Sequence, residues 1–305
     1  MTAAKDVEAM AKSMSDHLQA VAQTQGSFEQ DFIRLSRGIM RLLVEPLVAH
    51  MGFDDTVTEP VVLLDSACGS GVLTQEVQAA LSDEVLGRSS FTCADHAAGM
   101  VGLVKKRIVD EEWVNAEAKV LDAMDTGLPD SSFSHVGVAL ALHLTPDPDA
   151  VVKGRILRPG GTFGASTFPE SNAAMFWIPD MRSALQSLPF DAPLPDPMPM
   201  QMHRAGRWDD AAWVERHLAR DLGLAEVSVR ESAGAYGFES AEDFMATFRM
   251  MVPWMMKTFW SDEVREAHSE DEVRGLMRRH LEDKYGGGGW SISWRVITMT
   301  ATVRK

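Results

Sequence analysis

The stretch LLDSACGSGVLTQEV, residues 63–77, constrains the fold more than any other part of the chain. A short apolar run ends in Asp65, a turn of small residues (Ala67, Gly69 and Gly71) follows, and Leu73 and Val77 then begin a helical face. Strand, tight turn and helix form the first half of a βαβ unit, whose next strand returns parallel by a right-handed crossover. Open α/β sheets bind ligands beyond the carboxyl ends of their strands, so this turn faces the ligand. Small residues let backbone and ligand approach, and glycine permits positive φ.

The same grammar continues downstream. SSFTCAD (89–95) reads as a second strand, GMVGLVKKRIVDEEW (99–113) as a helix, and AKVLDAMD (118–125) as a short third strand. SFSHVGVALAL (132–142) is a fourth strand and PDAVVKGRIL (148–157) a helix. RPGG (158–161) is a turn and TFGASTF (162–168) a fifth strand. Strict alternation predicts a parallel, doubly wound sheet. AEVSVRE (225–231) and WSISWRVITMTATVRK (290–305) add a sixth and a terminal strand. Before the sheet, residues 1–58 read as helices, with Pro46 as a kink or restart. Between strands, WDDAAWVERHLARDLGL (208–224) is a helix with Asp209 as N-cap and Gly223 as its stop. Capping boxes at Ser240–Asp243 and Ser269–Glu272 open two more, the first running into a Met- and Trp-rich stretch that Pro253 kinks.

A nicotinamide site would ask for a third glycine where Thr74 stands, and Asp65 sits poorly beside a pyrophosphate. A carboxylate there suits a phosphate-free ligand with a cationic group. Asp95, ending the second strand, stands where an acid accepts both hydroxyls of a ribose. Asp122 can accept from an exocyclic amine while Ala123 and Met124 sandwich a purine, although Asp125 could take the same role. S-adenosylmethionine has the matching parts: an ammonium, a sulfonium, a ribose diol and an adenine.

With LLDSACGSGVLT, CADHAAGMV, LDAMDTGLPDSSFSHV and LRPGGTFGAST in order, the chain resembles a class I S-adenosylmethionine-dependent methyltransferase over roughly residues 28–168 plus the closing strand. The Ala-Cys-Gly variant at 67–69 and the helical additions most resemble fungal small-molecule methyltransferases of secondary metabolism. The resemblance implies a Rossmann-like seven-stranded sheet: an N-terminal helical segment (1–58), a cofactor-binding core (59–168), and a remainder (169–305) carrying lid insertions at 169–207 and 236–289. It implies that Asp65, Ser66, Ala67, Gly69 and Gly71 hold the methionine portion, with Arg37 within reach of its carboxylate. Asp95 and His96 would then lie at the ribose, and Asp122, Ala123 and Met124 at the adenine. The family pattern often has Gly where Ala67 stands.

His143, after the fourth strand, is the candidate base for an acceptor hydroxyl, thiol or amine, weighed against a histidine that merely packs. Trp254 and Trp260, with Trp177 opposite, are candidate walls for a partly apolar small-molecule acceptor. Two rivals keep the cofactor site: a non-methylating pericyclic or elimination step, and a non-enzymatic methyltransferase-like regulator. Nicotinamide-dependent dehydrogenation comes last.

Composition narrows the partners. A formal charge of −15 argues against sequence-independent nucleic-acid binding. No apolar run approaches the ~18–20 residues of a membrane span. With Cys68 and Cys93 as the two cysteines, no disulfide framework forms, and a reducing, cytoplasmic setting is expected. Cys68 reads as a packed residue, and no His/Cys spacing implies a metal.

Overall fold

The computed structural model describes residues 9, 10, 12–14, 16, 17, 27–153 and 156–303. The first part of the predicted 1–58 helical segment therefore lies largely outside the described residues. Seven strands form one sheet: β1 Val62–Ser66, β2 Ser90–Asp95, β3 Ala116–Val120, β4 Phe133–Val138, β5 Leu157–Thr167, β6 Ala225–Phe238 and β7 Trp290–Thr302. Their spatial order is β3-β2-β1-β4-β5-β7-β6. β1 runs parallel to β2 and β4, and strand order reverses between β1 and β4, which opens a crevice at their carboxyl ends. β5 continues the parallel run beside β4, but β7 lies antiparallel to β5, so the sheet is mixed.

The inner parallel strands β1, β2 and β4 are covered on both faces, as their apolar sequences require, whereas the edge strand β3 (AEAKV) is largely exposed. Leu64, Val136, Val138, Phe163, Ile297 and Met299 are among the buried residues of a single cluster. Gly137 of β4 pairs with Asp65 of β1, and Gly164 of β5 pairs with Gly137. Both glycines leave room for side chains crossing the sheet. A Cβ on Gly137 would lie 2.3 Å from Leu73 Cδ2, and one on Gly164 would lie 2.4 Å from Met51 Sδ.

Several boundaries differ from those read in the sequence. The helix before β1 breaks at Gly38, which has non-helical angles inside the π-helical turn Ser36–Met40; Pro46 sits inside the regular helix Arg41–His50. Glycine's conformational freedom, more than proline's missing N–H, decides where that helix breaks. The RPGG turn is part of β5, with a register shift against β4 between Phe133 and His135. Asp210 rather than Asp209 caps the helix Ala211–Arg216, accepting from the Trp213 N–H at 3.0 Å. Pro253 lies in the first turn of the helix Met251–Phe259, where its missing N–H removes no helical bond.

The chain forms two compact units. One contains residues 21–169, 201–232 and 296–305, and the other residues 1–20, 170–200 and 233–295. The second unit draws on the segments 169–207 and 236–289 that the sequence marks as insertions. Its buried hub is Asp180, which accepts from Lys284 Nζ at 2.8 Å, Trp290 Nε1 at 2.9 Å and the Tyr285 hydroxyl. This ties the helix Ile178–Gln186 to the end of the helix Glu270–Lys284. The first unit holds β1 to β5 and the glycine turn. The Gly137→Ala variant is expected to lose about 1–3 kcal/mol of stability through overpacking against Leu73, measured by urea unfolding.

Candidate functional site

The turn after β1 is held in a conformation that its sequence makes accessible. Ala67, Gly69 and Gly71 have φ of +52°, +53° and +79°. Glycine takes such angles freely, whereas a left-handed alanine costs about 1–2 kcal/mol. The substitution of Ala for the customary Gly thus fits but is strained. Gly71 has a second reason to be glycine: a Cβ there would lie 2.8 Å from the Trp113 ring.

The turn's donors are directed at its own acceptors. Gly69 N–H donates to Asp95 Oδ2 at 2.9 Å, and Gly71 N–H donates to the Cys68 carbonyl at 2.8 Å. The Thr74 N–H and hydroxyl donate to Asp65 Oδ2 at 3.1 and 2.9 Å, in the first turn of the helix Val72–Ala80. Asp95 Oδ1 takes the Ala97 N–H at 2.9 Å. A phosphate needs free N–H groups at a helix start, and here two carboxylates occupy them. The loop therefore suits a ligand that brings positive charge and hydroxyl donors.

The acids do not, however, front one open cleft as the sequence suggests. Asp65 is fully buried, and desolvation raises its pKa to about 7, with the neighbouring Asp95 charge adding to the rise. Its Oδ1 has no hydrogen-bond partner, leaving one buried acceptor that a ligand ammonium could meet. Asp95 is buried beside it. Asp122 is exposed, and its Oδ1 accepts the Met124 N–H at 2.9 Å, so it shapes the turn after β3. Beside that turn lies a cavity of about 200 Å³ lined by Ser66, Ala123, Met124, Asp125, Thr126 and Val151, among others. Asp125 and Asp130, not Asp122, are the acids on its wall. His96 is exposed, with Nδ1 3.5 Å from Asp95 Oδ1.

On the β4 side of the crevice the backbone is also strained. Leu140 has φ of +53°, and its N–H is held by Ser166 of β5 through the carbonyl at 3.2 Å and Oγ at 3.1 Å. His143 follows in the next turn, buried, with its ring edge-on to Phe168 at 5.1 Å. Burial, with the adjacent His203 imidazole adding to it, lowers the His143 pKa to about 3. Its Nδ1 and His203 Nε2 are both buried without partners. Burial thus holds His143 as a neutral imidazole, the form the sequence reading asks of a base, and disfavours the protonated form that would carry an acceptor's proton.

Three contributors were not singled out in the sequence. Thr74, which could only be read as the missing third glycine, anchors Asp65. His203 reaches the post-β4 turn, where the Met202 N–H donates to the His143 carbonyl at 2.8 Å. Arg107 is 1% exposed and holds the glycine turn from the helix Ala98–Asp110. Its i,i+4 spacing to Glu111 was the available signal for the pair. Arg37, placed near the cofactor carboxylate from sequence, instead pairs with Glu111 at 3.3 Å. Cys68 is packed, and its hydrogen bond with Cys93 together with burial pushes its thiol pKa well up.

The tryptophans read as acceptor walls pack into the other unit. Trp177 lies against Phe248 at 6.4 Å, Trp254 against Phe259 at 5.4 Å and Trp260 against Phe190 at 5.9 Å. All three are buried, Trp254 completely, so the predicted substrate-facing surface is corrected to aromatic packing. The alternating Met and Trp pattern serves core and ligand wall equally well, which is why spacing could not separate them.

Over most of its length the chain is similar to fungal methyltransferases. Residues 63–161 match the family described as Methyltransferase domain. Methyltransferase tpcH of Aspergillus fumigatus is 30% identical over 271 residues, covering 88% of this chain and 93% of that protein. Acetylaranotin bis-thiomethyltransferase of Aspergillus terreus is 30% identical over 258 residues, covering 84% of this chain and 87% of that protein. The solved structure of Haemonchus contortus phosphoethanolamine N-methyltransferase 2 in complex with S-adenosyl-L-methionine superposes with a TM-score of 0.46 at 12% identity, covering 86% of this chain and 52% of that one.

Two outcomes follow from the carboxylates. Asp95→Ala frees the Gly69 and Ala97 N–H groups and removes the acid expected at the ribose, so calorimetry should show S-adenosylhomocysteine binding weakened by about 1.5–3 kcal/mol. Asp65, with its folded pKa raised to about 7, binds a proton in the folded state that the unfolded chain has released. Stability therefore falls as pH rises from the unfolded carboxyl value, about 4, to about 7, and is flat above. Asp65→Asn should gain on the wild type across that window in urea unfolding at pH 5 and pH 8.

Proposed function

This chain belongs to the S-adenosylmethionine-dependent methyltransferases, and we propose that its acceptor is a thiol of a small, partly apolar metabolite. The enzyme transfers the methyl group of S-adenosylmethionine to a small molecule. When bound, that cofactor supplies an electrophilic methyl on a sulfonium sulfur, and the acceptor's lone pair takes the methyl while the C–S electron pair stays with the departing sulfur. The chain's own residues bind, align and exclude water. We assign the methionine portion to Asp65, Ser66, Ala67, Gly69 and Gly71, and the ribose to Asp95 with His96 alongside. The adenine falls to Ala123 and Met124, with Asp125 supplying a polar edge of the cavity and Asp122 shaping the turn beside it.

The observation that carries the acceptor assignment is the buried, neutral His143. Moving a proton from a thiol of pKa ~8.5 to an imidazole whose conjugate acid titrates near 3 is uphill by roughly 7 kcal/mol. A phenol of pKa ~10 would add about 2 kcal/mol more. An acceptor that ionises by itself is therefore favoured. A few per cent of a free thiol is thiolate at pH 7, and thiolate is intrinsically a strong nucleophile. Alignment and exclusion of water then supply most of the acceleration. One relative bears the name of a thiomethyltransferase, which supports the same reading.

The net charge of −15 disfavours nucleic acid and anionic membrane surfaces as partners. Among the described residues no helix is long and apolar enough to cross a membrane. The free, buried Cys68 and Cys93 suit a reducing cytoplasm.

Methylation of benzyl thiol should exceed that of p-cresol when each is assayed with the enzyme and S-adenosylmethionine. Log kcat/KM for the thiol should rise with pH at unit slope until the acceptor's own pKa, with no inflection near 6.5, and His143→Asn should keep the profile. An inflection at pH 6–7 that disappears in His143→Asn, or faster turnover of the phenol, overturns the assignment.

A further inference from the structure

We infer that Arg107 is a positioning residue for the methyl donor, acting through the Ser70 carbonyl to hold the glycine turn in its ligand-binding shape. A guanidinium that is 1% exposed needs its donors satisfied, and the structure shows where four of the five go. Nε and Nη2 form a two-point fork with Glu111, at 3.0 Å to Oε1 and 2.9 Å to Oε2. Nη2 also donates to Gln75 Oε1, in the helix that follows the turn, and Nη1 donates to the Ser70 carbonyl inside the turn. The guanidinium carbon lies 4.9 Å from the centre of the Trp113 ring, the ring that packs against Gly71.

Ser70 is the point at which such a grip matters most. It stands between Gly69 and Gly71, both at positive φ, where the free chain has the most conformations to lose. Its carbonyl and the Gly71 N–H belong to one rigid peptide plane and point in opposite directions. Arg107 draws the carbonyl to one side, and the Cys68 carbonyl receives the Gly71 N–H at 2.8 Å on the other. The plane is held from both ends. The Ser70 hydroxyl is tied separately to Ser36 Oγ at 2.6 Å.

Stability alone does not account for a buried cation here. Replacing a buried ion pair by uncharged groups of similar volume is often neutral or stabilising, because desolvation offsets the attraction. An apolar side chain would fill the same space, but it would not orient the Ser70–Gly71 peptide. A turn without that orientation would sample other shapes and reorder when the donor binds. Affinity would then fall by the fraction of time it is misfolded locally, with the bound state unchanged.

The test uses Arg107→Met combined with Glu111→Gln, which leaves no buried unpaired charge, Arg37 being exposed, and keeps an acceptor for Trp113 Nε1, now 3.2 Å from Glu111 Oε2. Arg107→Lys serves as the second variant, restoring charge without the fork. Calorimetry with S-adenosylhomocysteine should show Kd raised tenfold or more in the double variant and at least fivefold in Arg107→Lys. Thermal unfolding should change little, KM for S-adenosylmethionine should rise, and kcat at saturating cofactor should stay within twofold. A Kd within twofold of wild type in a folded variant overturns the inference. So does a loss of stability with Kd unchanged, or failure of both variants to fold, since either makes Arg107 a residue of the fold alone. The acceptor's identity does not enter these measurements, so they stand apart from the outcome of the thiol test.

Discussion

The site depends on carboxylates taking the N–H groups that a helix-opening glycine turn would otherwise offer to a phosphate. Asp95, at the tip of the neighbouring strand β2, accepts from Gly69, and Asp65 accepts twice from Thr74. This cross-strand tie fixes the turn and settles the sign of its field. With its donors filled by anions, the turn repels a pyrophosphate and favours a cationic, hydroxyl-bearing nucleoside. The same architecture that serves dinucleotides elsewhere here presents two buried aspartates at the turn.

Burial then governs the ionisation of what surrounds that turn. Asp65 is pushed up to about 7 and His143 down to about 3, each toward its neutral form. His203 is lowered by the same cause. Burial that disfavours the charged forms of Asp65, His143 and His203 makes their surroundings a poor place for acid–base work and a good one for a displacement that needs alignment and dryness. The strained Leu140 and Ala67 flank the switch point between β4 and β1, where backbone strain is held by cross-strand bonds rather than relieved.

Much of the architecture was legible because its signals are local. The seven strands follow in the predicted order, the glycine turn sits after β1, and both serines cap their helices as read, Ser240 and Ser269 accepting from residues three positions on. The errors were those of competing local rules. Gly38 broke a helix that Pro46 was expected to break, and Asp210 displaced its neighbour Asp209 as a cap. The antiparallel β7 was not foreseen, because strand direction depends on where the chain re-enters the sheet.

The sequence by itself determined the class of fold and the kind of cofactor, since both rest on residue types placed a few positions apart around one strand–turn–helix unit. Tertiary structure decided what each acid and histidine can do. Asp122 and Asp125 differ in which one faces the cavity, His143 is neutral because Phe168 and His203 close around it, and Arg107 reaches back to Ser70 from a later helix. Solvation and long-range hydrogen bonds set those roles, and both arise only when distant segments meet.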